Sequence, residues 1–290
     1  MPLCWQCVLT VVGNRNILLA QALALKVYST KTSLLVRVIT VPAVTGIAEA
    51  SADHIVSYFL DPRTDDRVYI TTTTRLYLYS LTSGEKVSQW NMYLGGTQQQ
   101  ACICANQQLG PNEAEAVFVA TKNSASSPFA VWRVGLVAGG KPAEKLELYR
   151  SRFPITSLKV TDNGRAVCII SGTHVVVINL VETEWATPRV YKMSSPLTCM
   201  DIQSDVNKKG KKGAARRGDI AVGDSIGAIY VLPDVIKASA MESDHTPRKL
   251  HWHRMAVCSV KWSLDGMFPT TLHGASLGSC DSDGSGLTLQ

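Results

Sequence analysis

The densest run of side chains able to hold a metal or carry a proton is KLHWHRMAVCSVKWSLDG, residues 249 to 266. His251 and His253 are two apart, so an extended strand places both imidazoles on one face, as two zinc ligands require. No third convergent ligand is identifiable in the sequence, so the two histidines read as strand residues and no metal or cofactor is expected. GDSIG, Gly223 to Gly227, has the G-x-S-x-G spacing that, on a sharp turn from strand into helix, exposes a nucleophilic hydroxyl, here that of Ser225. The next residues are AIYVLP, rich in β-formers and closed by Pro233, so a strand, turn and strand are expected, and a serine hydrolase is the least favoured reading. Cys4 and Cys7 have C-x-x-C spacing but no βαβ context and no second pair, and Cys102 and Cys104 are two apart on an expected strand, packed in a core. No phosphate-cradling glycine loop is present. The chain reads as a non-enzyme without a small-molecule substrate.

Charge is concentrated in one place. The 290 residues carry 29 Lys plus Arg and 23 Asp plus Glu, a net charge of +6, and NKKGKKGAARRGD supplies Lys208, Lys209, Lys211, Lys212, Arg216 and Arg217. The rest of the chain is therefore neutral, and a broad nucleic-acid-binding face is not implied. This basic loop, 207–217, has a functional reading, contact with RNA phosphates without sequence preference or a nuclear or nucleolar address, and an equally weighted plain one, a solvated loop between strands. No aromatic residues interleave to stack bases. Eight scattered cysteines in a long chain suit a reducing compartment rather than a disulfide framework, and no apolar run reaches membrane-spanning length. A composition of 46% apolar and 18% charged residues is that of a folding chain.

The elements that must position these residues repeat. LKVYST around Tyr28, LYLYSL around Tyr79, FAVWRV around Trp132, VVVINL around Ile178 and AIYVLP around Val231 follow one another at 46 to 53 residues. Between them recurs an apolar, small, small, apolar quartet: VTGI from Val44, ITSL from Ile155, LTCM from Leu197 and VCSV from Val257, with ACIC from Ala101 a looser copy. Turn signals separate the segments at DNG (Asp162 to Gly164), TSG (Thr82 to Gly84) and LDG (Leu264 to Gly266), and PDVIKASAMES is the one helical candidate. Short strands repeating at about 50 residues predict an all-β propeller, whose blades bury their faces on one another; an irregular sandwich gives no reason for a period. From His253 the chain follows the WD-type repeat at His253, Val257, Val260, Trp262, Ser263, Asp265 and Gly266, with Trp252 and Leu264 departing. His253 is thus expected to be structural.

LALKVYSTKTSLLVRVI, GDIAVGDSIGAIYVL and RKLHWHRMAVCSVKWSLDG, in this order, resemble the first propeller of the WD repeat-containing protein 75 family, the nucleolar WD-repeat subunit of the small-subunit processome in the UtpA (t-UTP) group. The resemblance covers about residues 14–268. It implies a scaffold of the nucleus and nucleolus that assembles with other UtpA subunits on nascent pre-rRNA, supporting rRNA transcription and 18S pre-rRNA processing. A WD-repeat adaptor of another complex, such as a ubiquitin-ligase substrate receptor, is the alternative of the same architecture. The expected layout is an atypical segment 1–13, five blades and the start of a sixth in 14–268, and an atypical, disordered tail 269–290. The family's second propeller and helical region have no counterpart here, as in a truncated product.

Overall fold

The computed structural model describes residues 9–12, 16–43, 53–61, 64, 66–92, 97–103, 115–122, 128–136, 142–161, 164, 166–180, 188–203, 219–233, 247–251, 254–262 and 269–273. Among these there are only strands, and no helix long and apolar enough to cross a membrane. The first sheet holds β1 (Leu9–Val12), β2 (Asn16–Gln21), β3 (Ala24–Ser29) and β4 (Leu35–Thr40), and the second β5 (Ile55–Leu60), β6 (Arg67–Thr72), β7 (Arg75–Ser80) and β8 (Lys86–Asn91). The third holds β9 (Thr97–Ile103), β10 (Glu115–Lys122), β11 (Phe129–Leu136) and β12 (Pro142–Ser151), and the fourth β13 (Ile155–Val160), β14 (Ala166–Ser171), β15 (His174–Asn179) and β16 (Arg189–Lys192). The fifth holds β17 (Leu197–Ile202), β18 (Ile220–Asp224), β19 (Ala228–Leu232) and β20 (Arg248–His251); β21 (Val257–Trp262) and β22 (Pro269–His273) pair in a sixth. Every sheet is an antiparallel meander in chain order.

The architecture is all-β and propeller-like. Period-2 alternation sends successive side chains of each central strand into two different cores. Val68, Ile70, Tyr77 and Tyr79 of the second sheet pack on Leu18, Leu25, Val27 and Ile39 of the first. Tyr69, Leu76 and Leu78 point the other way, onto Val117, Val119 and Val134 of the third. Further cores join the third sheet to the fourth, the fourth to the fifth and the fifth to the sixth. Burial on both faces explains why β6, β14 and β18 are apolar with little alternation. Each large side chain buried this way, such as Tyr69 or Phe118, contributes about 1.5–3 kcal/mol.

The expected repeat is the third strand of every four-stranded sheet: Tyr28, Tyr79, Trp132, Ile178 and Val231 lie on β3, β7, β11, β15 and β19. Register moves two of these anchors. Val134 and Leu232, not Trp132 and Val231, stand where Tyr79 and Ile178 stand. The quartet marks first strands. Ile155, Leu197 and Val257 open β13, β17 and β21, each followed by a register shift before the next pair, and Ile55 does the same in β5. VTGI lies outside the described residues. ACIC is out of phase, because pairing makes Gln98 the counterpart of Ile155 in β9. Of the expected turns, TSG closes the β7–β8 hairpin with Gly84 at φ +76°, and Gly164 of DNG has φ +69° between β13 and β14.

Two strands lie beyond the 14–268 span: β1, within the segment set apart as atypical, is paired Val12 to Asn16 with β2, and β22, within the tail, is paired with β21. LTVV and PTTLH are too short to announce a strand alone, and the partner strand supplies the pairing. PDVIKASAMES lies outside the described residues.

Candidate functional site

The first strands of successive sheets pack side by side, and their fifth residues meet. In β13, β17 and β21 these are Lys159, Asp201 and Lys261. Lys159 Nζ donates to Asp201 Oδ1 at 2.5 Å, and Lys261 Nζ lies 3.5 Å from the same oxygen. Asp201 Oδ2 accepts the Trp262 backbone N–H at 3.0 Å. One carboxylate thus ties together three sheets. Lys159 is half-buried, and desolvation first, with Lys261 nearby, holds its pKa below the usual lysine value, although the Asp201 charge opposes this. Lys261 is largely exposed, so two cations sharing one anion leave positive charge facing water.

The same end of the sheets is where the basic stretch belongs in the chain. β17 finishes at Ile202, opposite Ile220 at the start of β18, and Gln203 N–H donates to Asp219 O at 2.9 Å, so the fifth sheet's first two strands are joined at this end. Arg248 and Lys249, both exposed, begin β20 at this end, Arg248 opposite Val231. Lys208, Lys209, Lys211, Lys212, Arg216 and Arg217 lie outside the described residues. What is described is their root: a sheet end bearing Lys159, Lys261, Arg248 and Lys249.

The WD-type positions fall on β21. Val257 and Val260 are buried and pack on Ala221 and Ile229, with Trp262 half-buried against them. His253, Ser263, Asp265 and Gly266 lie outside the described residues. β20 ends at His251, opposite Ala228, so the shared face expected for the two histidines is described only at its first member. No group of three or more His, Cys, Asp or Glu side chains able to hold a metal occurs among the described residues.

Ser225 is exposed at the β18–β19 turn, between two strands, and its N–H donates to Pro196 O at 2.9 Å. The G-x-S-x-G spacing has a structural origin. Buried Asp224 accepts the N–H groups of Ile226 at 3.0 Å and Ala228 at 2.7 Å, so the acid before Ser225 fixes the hairpin. Cys102 is half-buried on β9; Cys4, Cys7 and Cys104 lie outside the described residues. Full burial pushes the Cys168 thiol up to about 12, which keeps it from acting as a thiolate.

Sequence reading missed Lys159, Asp201 and Lys261, which sit 42 and 60 residues apart in the paired contacts. The available signal was their common place, one residue beyond the quartets ITSL, LTCM and VCSV. No protein-family model matches the chain, and no curated protein matches it.

Proposed function

We propose that the chain is a non-catalytic WD-type β-propeller scaffold, with five complete blades and part of a sixth, that takes part in small-subunit processome assembly on nascent pre-rRNA in the nucleolus. The observation that carries this reading is the repetition of one four-stranded unit whose sixth copy opens on a WD-type strand at Val257, Val260 and Trp262. Lys159, Lys261, Arg248 and Lys249 lie at the sheet end where β17 finishes and β18 begins, and the sequence between those strands carries Lys208, Lys209, Lys211, Lys212, Arg216 and Arg217, which favours contact with a polyanion such as pre-rRNA. Partner subunits of the UtpA group would dock on the remaining blade surfaces.

The test is capture of the tagged chain from cells with and without Gln at the six basic positions. Recovery of pre-rRNA and nucleolar proteins, reduced and made less salt-sensitive by the substitutions, supports the reading. Recovery of ubiquitin-ligase components without pre-rRNA would replace it with an adaptor of that kind.

A further inference from the structure

Across each described junction between sheets, one second-strand residue, opposite the first-strand bulge in the second to fifth sheets, faces the residue that opens the next sheet. Register and packing give these pairs as Ala20 with Ile55, Ala120 with Ile155, Ile170 with Leu197 and Gly223 with Val257. All four are apolar. At the remaining junction, between the second and third sheets, the same pair is Thr71 and Gln98.

Both residues are buried, with 0% and 1% exposure, and Thr71 Oγ1, Gln98 Oε1 and Gln98 Nε2 have no protein hydrogen-bond partner. The backbone does not account for this. Gln98 N–H donates to Thr73 O at 2.8 Å, the bond that Ile55 makes to Ala22 O and Leu197 to Gly172 O, so Gln98 is seated as its apolar counterparts are. Five of the eight buried, unpartnered side-chain N and O atoms among the described residues belong to Thr71, Gln98, Thr74 and Asp53, which surround the β6–β7 turn. Asp53 Oδ1 grips that turn through Thr73 N–H at 3.1 Å and Thr73 Oγ1 at 2.5 Å.

We infer that this junction is a binding site for a single ordered water molecule held by Thr71 Oγ1 and the Gln98 side-chain amide. The three atoms decide the ligand's chemistry. Gln98 Nε2 donates only, Gln98 Oε1 accepts only, and the Thr71 hydroxyl does either. A bare cation is repelled by the amide N–H₂, and an anion by the amide oxygen. A ligand that both donates and accepts satisfies all three, and three polar partners are the number a buried water typically has.

Two measurements test this. A high-resolution crystal structure of the full chain is expected to show a density peak about 2.7–3.2 Å from Thr71 Oγ1 and from both polar atoms of the Gln98 amide. Direct bonding of Gln98 to Thr71 with no peak between them would overturn the site. In a thermal-melting cycle, Thr71→Val and Gln98→Leu singly are each expected to lower Tm, because each strands the other partner and its water. The double variant is expected to recover most of the loss. If Gln98→Leu alone raises Tm as far as the double variant does, the amide is simply unpaired and no water is bound.

Discussion

Asp201 does three jobs with two oxygens, and its charge is what the site depends on. Replacing it with Asn keeps an acceptor for the Trp262 N–H but leaves the half-buried Lys159 ammonium beside Lys261 with no anion. Asp201→Asn is expected to cost about 1–3 kcal/mol, less than a fully buried pair because both lysines reach water. Adding Lys159→Met should return part of it; strictly additive melting shifts would mean the pair is not coupled. Trp262 lies at the edge of a small core with Val257 and Val260. Trp262→Ala should therefore cost toward the lower end of the about 3–5 kcal/mol typical of buried Trp to Ala changes, seen as a lower denaturation midpoint. A variant that melts normally but no longer binds partners would place Trp262 in an interface instead.

At the scale of the strand, β18 and β21 come close together at Gly223. A Cβ added there would lie 2.6 Å from both Val257 Cβ and Val257 Cγ1 and 2.8 Å from Cys199 Sγ. The Val257 atoms belong to a stiff, β-branched side chain, so Gly223→Ala should force the fifth and sixth sheets apart at a cost of about 1–3 kcal/mol, and Val257→Ala in the same chain, which removes Cγ1, should relieve part of it. An unchanged melting curve for Gly223→Ala would show that β21 shifts freely. These strands also show where the sequence was legible. Third strands stood out because large apolar residues recur there at a period set by the sheet. Their phase did not: in strands buried on both faces nearly every residue is apolar, so a slip of one at Val231 or two at Trp132 leaves no trace in the pattern. The β9 start was hidden because Gln98 stands where its counterparts are Ile, Leu or Val. The lysine–aspartate cluster was illegible for a different reason, since only packing of three sheets brings its members together.

For the whole molecule, the decisive surface is the face of the first sheet turned away from the second. Ile17, Leu19 and Tyr28 are only half-buried there, and Leu35 and Val38 on the edge strand β4 are 49% and 45% exposed. Leu34 and Val36 beside them are more exposed still. An apolar face next to an open strand edge recruits other chains. The isolated 290-residue chain is therefore expected to self-associate, with light scattering giving a mass above that of one chain, and Leu35→Lys with Val38→Lys should reduce that mass. A monodisperse, cooperatively melting monomer would mean that another part of the chain covers this face.

Every core described here joins a sheet to the one before it or the one after it. Mechanically, that is a row of elements in series. Tension applied through the two termini is carried by one junction after another, so the weakest yields first while its neighbours stay folded. Extension of a single molecule then proceeds as a sawtooth, each tooth releasing the length of one meander, and the force at which a sheet detaches reports the strength of its own two interfaces.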